Sequence, residues 1–163
     1  MCRILILVSI NTESFDLATE FIASHPLAVL SINQKHHAPY SAAVFITSDE
    51  SLNLSFVTKT ETTKYSAICI DNRVTVTSYD LDEQQMLQAN GKATEISNDA
   101  GLAKDLFDQV AKAKLTKDPN WIPPIVKLQA GEYAVFKIGI EWMRIVSFSS
   151  SLSNEASFTQ IIG

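Results

Sequence analysis

The residues best suited to chemistry in this chain lie between Thr58 and Tyr65. There Thr58, Lys59, Thr60, Thr62, Thr63 and Lys64 set hydroxyls and ammonium groups close together. Upstream, Leu52, Leu54 and Phe56 alternate with Asn53 and Ser55, the period-2 pattern of a half-buried strand. Downstream, from Thr62 on, Tyr65, Ile68 and Cys69 form a short apolar-periodic piece, which reads as one or two turns of helix with a hydroxyl residue capping it. A strand that runs into a helix start through Thr and Lys gathers backbone N–H donors, hydroxyls and cations in one place. The unsatisfied N–H groups and the helix dipole favour an anion there, and the residue types suit a phosphate. An ordinary strand–loop–helix connection with solvated lysines uses the same residues, since Thr caps are common and most bind nothing.

No other reactive set stands out. The sequence holds no Ser-His-Asp or Cys-His arrangement, no phosphate-binding Walker loop, no G-x-G-x-x-G turn and no paired-carboxylate motif. His36 and His37 are adjacent in a turn before Pro39, so their side chains point to opposite sides of an extended chain and do not ligate one metal together. His25, just before Pro26, reads as a helix-end residue whose charge would suit the dipole. Cys2 and Cys69 make neither a disulfide framework nor a metal-ligand spacing, and Cys69 is expected as a buried free thiol in a reducing, cytoplasmic setting.

At 163 residues the chain has the size of one domain with a real core. Hydrophobic residues make up 46% and charged residues 19%, which places it among globular proteins. The net charge is −5, with no cluster of Lys or Arg interleaved with aromatics, which argues against nucleic-acid binding. The apolar run Ile4–Ile10 is too short to span a bilayer and lacks a small-residue cleavage site, so no membrane is expected. We read residues 1–12 as an extra N-terminal segment.

The elements that must position the Thr/Lys stretch follow from periodicity. Asn11 or Thr12 caps a helix with Phe15, Ala18, Phe21 and Ile22 on one face, stopped by Pro26. Strands are expected over Leu27–Ile32 and Tyr40–Thr47, with a tight turn at Ser48–Ser51 leading into the central strand. A strand over Arg73–Tyr79 carries β-branched or aromatic residues on both faces. Gln84–Ile96 is a long strand with a bulge expected at Asn90–Gly91. Asp99 caps a second clear helix with Leu102, Leu106, Phe107 and Val110 on one face. A stiff linker follows over Asp118–Pro124. A last hairpin then joins Ile125–Gln129 to Tyr133–Phe148, and residues 147–163 read as a tail with an exposed Ser-rich start. Strands without βαβ alternation, and helices inserted singly, indicate an antiparallel barrel in one domain.

Phe56-Val57-Thr58, Thr62-Thr63-Lys64-Tyr65 and Ile70-Asp71-Asn72-Arg73-Val74, in that order and spacing, resemble the pyridoxamine 5′-phosphate oxidase-like flavoproteins. The similarity covers about Phe15 to Trp142. It implies a mainly β fold, an antiparallel six-stranded split β-barrel of Greek-key type with two or three inserted helices. It also implies an FMN cofactor, a homodimer with two sites at the subunit interface, and oxidoreductase activity on a small molecule that the sequence does not name. By position, the family's cofactor contacts fall on Ser41, Ala42, Ala43, Val44 and Thr47 of the second strand, and on Thr58, Thr63 and Lys64. Gln85 (or Met86) and Trp142 complete the set.

The chain departs from the family pattern at several of these positions. Thr63 stands where the family has Arg before Lys64, and Ala42 and Thr47 replace the basic ends of the second-strand segment. Thr cannot reproduce the bidentate bonds of an Arg fork. Arg73 is a candidate substitute, although it also simply begins a strand. The family's late Arg-x-His, which holds the substrate phosphate, has no match in Glu141-Trp142-Met143-Arg144-Ile145, so oxidation of pyridoxamine phosphate itself is not expected. The alternative is a non-catalytic barrel dimer that binds or senses a flavin, a deazaflavin or heme. Apolar strand residues such as Val74, Val76, Thr75 and Tyr79 exceed what one small barrel readily buries, consistent with a two-fold interface; packing under the helices would bury them equally.

Overall fold

A computed structural model of the chain describes residues 12–34, 37–97, 100–115, 132–148 and 157–163. Among these residues, three helices and eight strands follow in the order α1 (Thr12–Ser24), β1 (Leu27–Ile32), β2 (Tyr40–Phe45), β3 (Thr47–Ser48), β4 (Leu54–Lys59), α2 (Thr63–Ile70), β5 (Arg73–Asp80), β6 (Gln85–Ser97), α3 (Ala100–Leu115), β7 (Tyr133–Ser147) and β8 (Ser157–Ile162). The strands form one antiparallel sheet in the order β2-β1-β5-β6-β7-β4-β3, with β8 pairing β7. The non-consecutive neighbours β1–β5 and β4–β7 are what make it a barrel rather than a meander.

The two ends of that order are one stretch of chain. β2 pairs β1 from Tyr40 to Phe45, and after Ile46 the chain continues as β3 and pairs β4. Ile46 is buried in the core, and its N–H donates to the Pro26 carbonyl at 2.8 Å. The expected single strand Tyr40–Thr47 is thus a strand that changes partner midway, and this closes the split barrel.

Strand alternation decides what lies inside. Along β5, Val74, Val76 and Ser78 are buried while Thr75 and Tyr79 are exposed, so the two valines fill the barrel and are not surplus surface. Leu30, Ile32, Leu54, Phe56, Leu87, Ile138, Met143 and Ile145 complete the interior, with Phe56 and Phe136 stacked at 5.4 Å. α1 adds Ala18, Phe21 and Ile22, the face read from the sequence.

Three features differ from the sequence reading. The register between β6 and β7 shifts at Asn90/Gly91 as expected, but Asn90 faces Trp142 and Gly91 faces Ile140, so the extra residue is Glu141 on β7. That insertion reverses the parity of β7: Ala134, Phe136 and Ile138 point inward before it, Met143 and Ile145 after it. Gly91 serves close approach, because a Cβ there would lie 2.1 Å from the Gly139 carbonyl oxygen. Second, part of the expected tail is β8, whose Ile161 is buried against the core. Third, Cys69 is exposed, not buried. The buried residues of α2 are Ala67 and Ile68, so its inner face is centred on 64, 67 and 68 and turns Cys69 outward. Cys2, Asn11, Asp99, the linker 118–124 and the strand expected over 125–129 lie outside the described residues.

Candidate anion-binding site

Local sequence fixes the β4–α2 junction. Thr62 is the N-cap of α2 in extended geometry, and its Oγ1 accepts the Tyr65 N–H at 3.3 Å. The same hydroxyl donates to the Lys59 carbonyl at 2.8 Å, and Thr58 Oγ1 lies 3.1 Å from it. These bonds tie the last residue of β4 to the first turn of the helix. The N–H groups of Thr63 and Lys64 stand ahead of the first intrahelical bond, at the positive end of the helix.

Around this junction is a cavity of about 230 Å³ lined by Ala43, Val44 and Phe45 of β2, Val57, Thr58 and Lys59 of β4, Thr62 and Lys64 at the start of α2, Phe107 of α3 and Tyr133 of β7. The inward rotation of α2 carries Lys64 with it, because Lys64 shares a helix face with Ala67 and Ile68. Its side chain is half-buried and, among the described residues, has no ion-pair partner. Burial accordingly pushes the Lys64 ammonium below its ordinary pKa. Lys59 is paired with Glu61 at 3.3 Å. Tyr65 pins α2 to the sheet by donating to Glu95 at 3.1 Å, and that hydrogen bond and the Glu95 charge push its phenol up to about 12.

Of the ten residues named from the sequence, the structure brings Ala43, Val44, Thr58 and Lys64 together at this cavity. Thr63 sits at the same helix start but faces solvent. Ser41 bonds Ser31 Oγ at 2.9 Å on the exposed side of β2, and Ala42 is the adjacent residue, paired with Leu30. Thr47 lines a separate cavity of about 220 Å³ beneath α1 and α3, with Ile22 and Val110. Gln85 lies at the far end of β6, opposite Asp80 and Ser147. Trp142 faces Asn90 across the sheet and receives the Arg144 guanidinium 5.1 Å from its ring. Arg73 does not reach the cavity: it is bonded to Asp71 and lines a different groove with Ser31, Asn33, Thr75 and Glu141. Phe107 and Tyr133 were missed, since they reach the site from elements far along the chain.

The cavity suits a phosphate group. It offers the half-buried, unpaired Lys64, the Glu61-paired Lys59, helix-start N–H groups and the Thr58 hydroxyl, and among the described residues no carboxylate lines it. At about 230 Å³ it is smaller than the roughly 300–1,000 Å³ of pockets that enclose a whole ligand. A phosphate and the chain attached to it would fit inside, leaving a ring system to lie beyond it.

No protein-family profile matches the chain, and no curated protein matches it in sequence. Solved structures share its fold. A Clostridium acetobutylicum protein related to general stress protein 26 of B. subtilis, of the pyridoxinephosphate oxidase family, is 13% identical with a TM-score of 0.64, covering 93% of this chain and 97% of its own. A pyridoxamine 5′-phosphate oxidase-related, FMN binding protein from Nostoc punctiforme is 13% identical with a TM-score of 0.54 over 93% and 95% of the two chains. An F420 reductase is 20% identical with a TM-score of 0.58 over 76% and 94%. The fold is the split barrel of pyridoxamine 5′-phosphate oxidase-like proteins.

Proposed function

We propose that this is an FMN-binding member of the pyridoxamine 5′-phosphate oxidase-like group, with the flavin phosphate seated at the β4–α2 junction. The observation that carries the reading is the half-buried, unpaired Lys64 beside a helix start in a carboxylate-free cavity. Lys64, the N–H groups of Thr63 and Lys64, and Thr58 would hold the phosphate, while Phe107 and Tyr133 shield it from water. When bound, the flavin supplies electron transfer, and the chain supplies binding and orientation. The substrate of such an oxidoreductase is unnamed.

Among the described residues no arginine lines the cavity, and of its two lysines Lys59 is paired with Glu61, so the affinity is expected to rest mainly on Lys64. Titration of the apo-protein with FMN, riboflavin and FAD, followed by flavin fluorescence, tests this. FMN should bind and riboflavin should bind about 10–150-fold more weakly, the worth of a charge-assisted phosphate contact of about 1.5–3 kcal/mol. Equal affinity for FMN and riboflavin, or no FMN binding, would sink the proposal.

A second reading, a non-catalytic binder, draws on one observation: no His, Asp, Glu, Cys or Met lines the cavity among the described residues. This lining favours holding a ligand over acid–base work by a carboxylate or imidazole. A flavin or deazaflavin phosphate is the occupant that Lys64 and the helix start favour in either reading.

We further infer a homodimer. Leu27, Val29, Tyr79 and Phe158 are each about half exposed or more on the barrel's outer surface, although the chain has a full interior. A second copy packed there would also cover what projects from a cavity too small for a whole flavin. No helix among the described residues is long and apolar enough to cross a membrane, and a cytoplasmic site of action is part of the same proposal.

A further inference from the structure

Lys64 differs from the other described lysines. Lys59, Lys92, Lys104 and Lys137 are paired with Glu61, Glu141, Asp108 and Asp49, and Lys112 is exposed on α3. Among the lysines whose side chains are described, Lys64 alone is both half-buried and without a carboxylate partner. Its neighbours in the cavity are the apolar Ala43, Val44, Phe45, Val57 and Phe107, with Thr58, Thr62, Tyr133 and a second ammonium, the Glu61-paired Lys59. An ammonium in such a place loses hydration that no opposite charge replaces, and the positive end of α2 adds to the cost. Loss of a proton relieves both, and the resulting neutral amine carries a lone pair.

We propose that Lys64 is a carbonyl-reactive amine: when no anion fills the cavity, it forms an imine with small apolar aldehydes that the cavity admits. The lone pair of the amine adds to the carbonyl carbon, and the amine proton passes to the carbonyl oxygen to give a carbinolamine. Water then leaves as the C=N bond forms, so nothing is oxidised or reduced and hydrolysis returns the aldehyde. The hydroxyls of Thr58 and Thr62 line the same cavity and can relay a proton to the departing water. The apolar walls exclude bulk water and favour an aldehyde with a hydrocarbon body; about 230 Å³ limits it to a small one. Burial of the ammonium supports the same conclusion, since each tenfold rise in the neutral fraction raises the rate of addition about tenfold. The reactivity goes beyond the flavin reading and does not depend on it: any anion that pairs with Lys64 would restore the ammonium and block addition.

The test treats the full-length apo-protein with butanal and cyanoborohydride near neutral pH, then maps the alkylated lysines by peptide mass spectrometry over time. Lys64 should be labelled about tenfold faster than Lys112, with inorganic phosphate slowing Lys64 and leaving Lys112 unchanged. Equal rates at Lys64 and Lys112, or a fast Lys64 indifferent to phosphate, would overturn the proposal. Because the readout is the wild-type chain, folding of a variant does not enter. A protein that binds FMN without fast Lys64 labelling, or the reverse, separates this proposal from the flavin one.

Discussion

At the scale of single residues, Lys64 and Gly91 carry the sharpest expectations. Lys64→Ala should weaken FMN binding by about 10–150-fold, the loss of one charge-assisted phosphate bond, without lowering the melting temperature. Removing a desolvated cation costs the fold nothing and relieves a strain. The pH dependence follows from the sign of the shift. Lys64 loses its proton below the ordinary value of 10.5 in the folded protein, so over that window the unfolded chain binds more protons and stability rises with pH. FMN affinity should fall over the same window, and titrations at stepped pH, compared with Lys64→Ala, would show it. Gly91→Ala is the opposite kind of change. Its methyl would meet the Gly139 carbonyl at 2.1 Å, where neither backbone can yield, and a loss of about 3 kcal/mol is expected in urea denaturation. Thr58 and Lys64 were legible in the sequence because a strand ending in hydroxyls before a capped helix is a local pattern. The inward aim of Lys64 was available too, from its i, i+3, i+4 spacing to Ala67 and Ile68, but the face was centred one residue off, on Tyr65 and Cys69. Phe107 and Tyr133 had no local signal at all.

At the scale of elements, the α2 cap holds the candidate site in place, and the turn before β4 sets where that strand begins. Thr62→Ala removes the bond to Tyr65 N–H and the one to the Lys59 carbonyl, and should cost about 1 kcal/mol of stability. A melting-temperature drop of about 2–4 °C would register it. The turn from Asp49 to Asn53 puts Leu52 in the left-handed region at φ 58°, a conformation a leucine resists, and buries its side chain. Asp49 stabilises that turn. Burial by itself would raise its pKa, but hydrogen bonds from Lys137, from the Asn53 side chain and from the Asn53 and Ser51 N–H groups outweigh it and bring it to about 2. A depressed carboxylate stabilises the fold above its unfolded value of 3.8 and loses that contribution as pH falls toward 2. The stability gap between wild type and Asp49→Asn should therefore narrow over that range in acid denaturation. Alternation made β1, β4 and β5 readable from sequence. β8 was not, since Phe158, Ile161 and Ile162 do not alternate and follow a Ser-rich stretch. The parity change in β7 was hidden because Glu141 looks like an ordinary outward residue until its missing partner on β6 is seen.

At the scale of the whole molecule, the open question is what covers the outside of the barrel. Val74 and Val76, expected from the sequence to be surplus, are inside it, and the exposed apolar residues are Leu27, Val29, Tyr79 and Phe158 instead. Alternation identifies which residues share a strand face but not which face is the interior, and that depends on the curl of the entire sheet. A symmetric dimer through this surface is expected to bury about 2,000 Å² or more, the range of obligate homodimers. Sedimentation at micromolar concentration should give twice the chain mass. Replacing Val29 and Tyr79 together by Glu and Lys should give monomers and weaken flavin binding. A monomeric wild type would remove the covering copy that the small cavity calls for.

The position of β7 in the sheet bears on how the chain is made. Its first half is the partner of β4, whose Leu54 must wait for Ile138, and its second half joins β6 to β8. While the chain emerges from the ribosome, the β1–β2 and β5–β6 hairpins can form as soon as their residues are out, because their partners are near in sequence. β4 and the Thr/Lys junction that follows it cannot be fixed until β7 has been made. Until then the edge of β4 that faces β7 stays unpaired, with Leu54 and Phe56 on the strand, the kind of segment that recruits other chains. A polypeptide stalled before β7 would thus be prone to aggregate, and the candidate site, although its Thr/Lys residues are made early, would be completed only when β7 arrives.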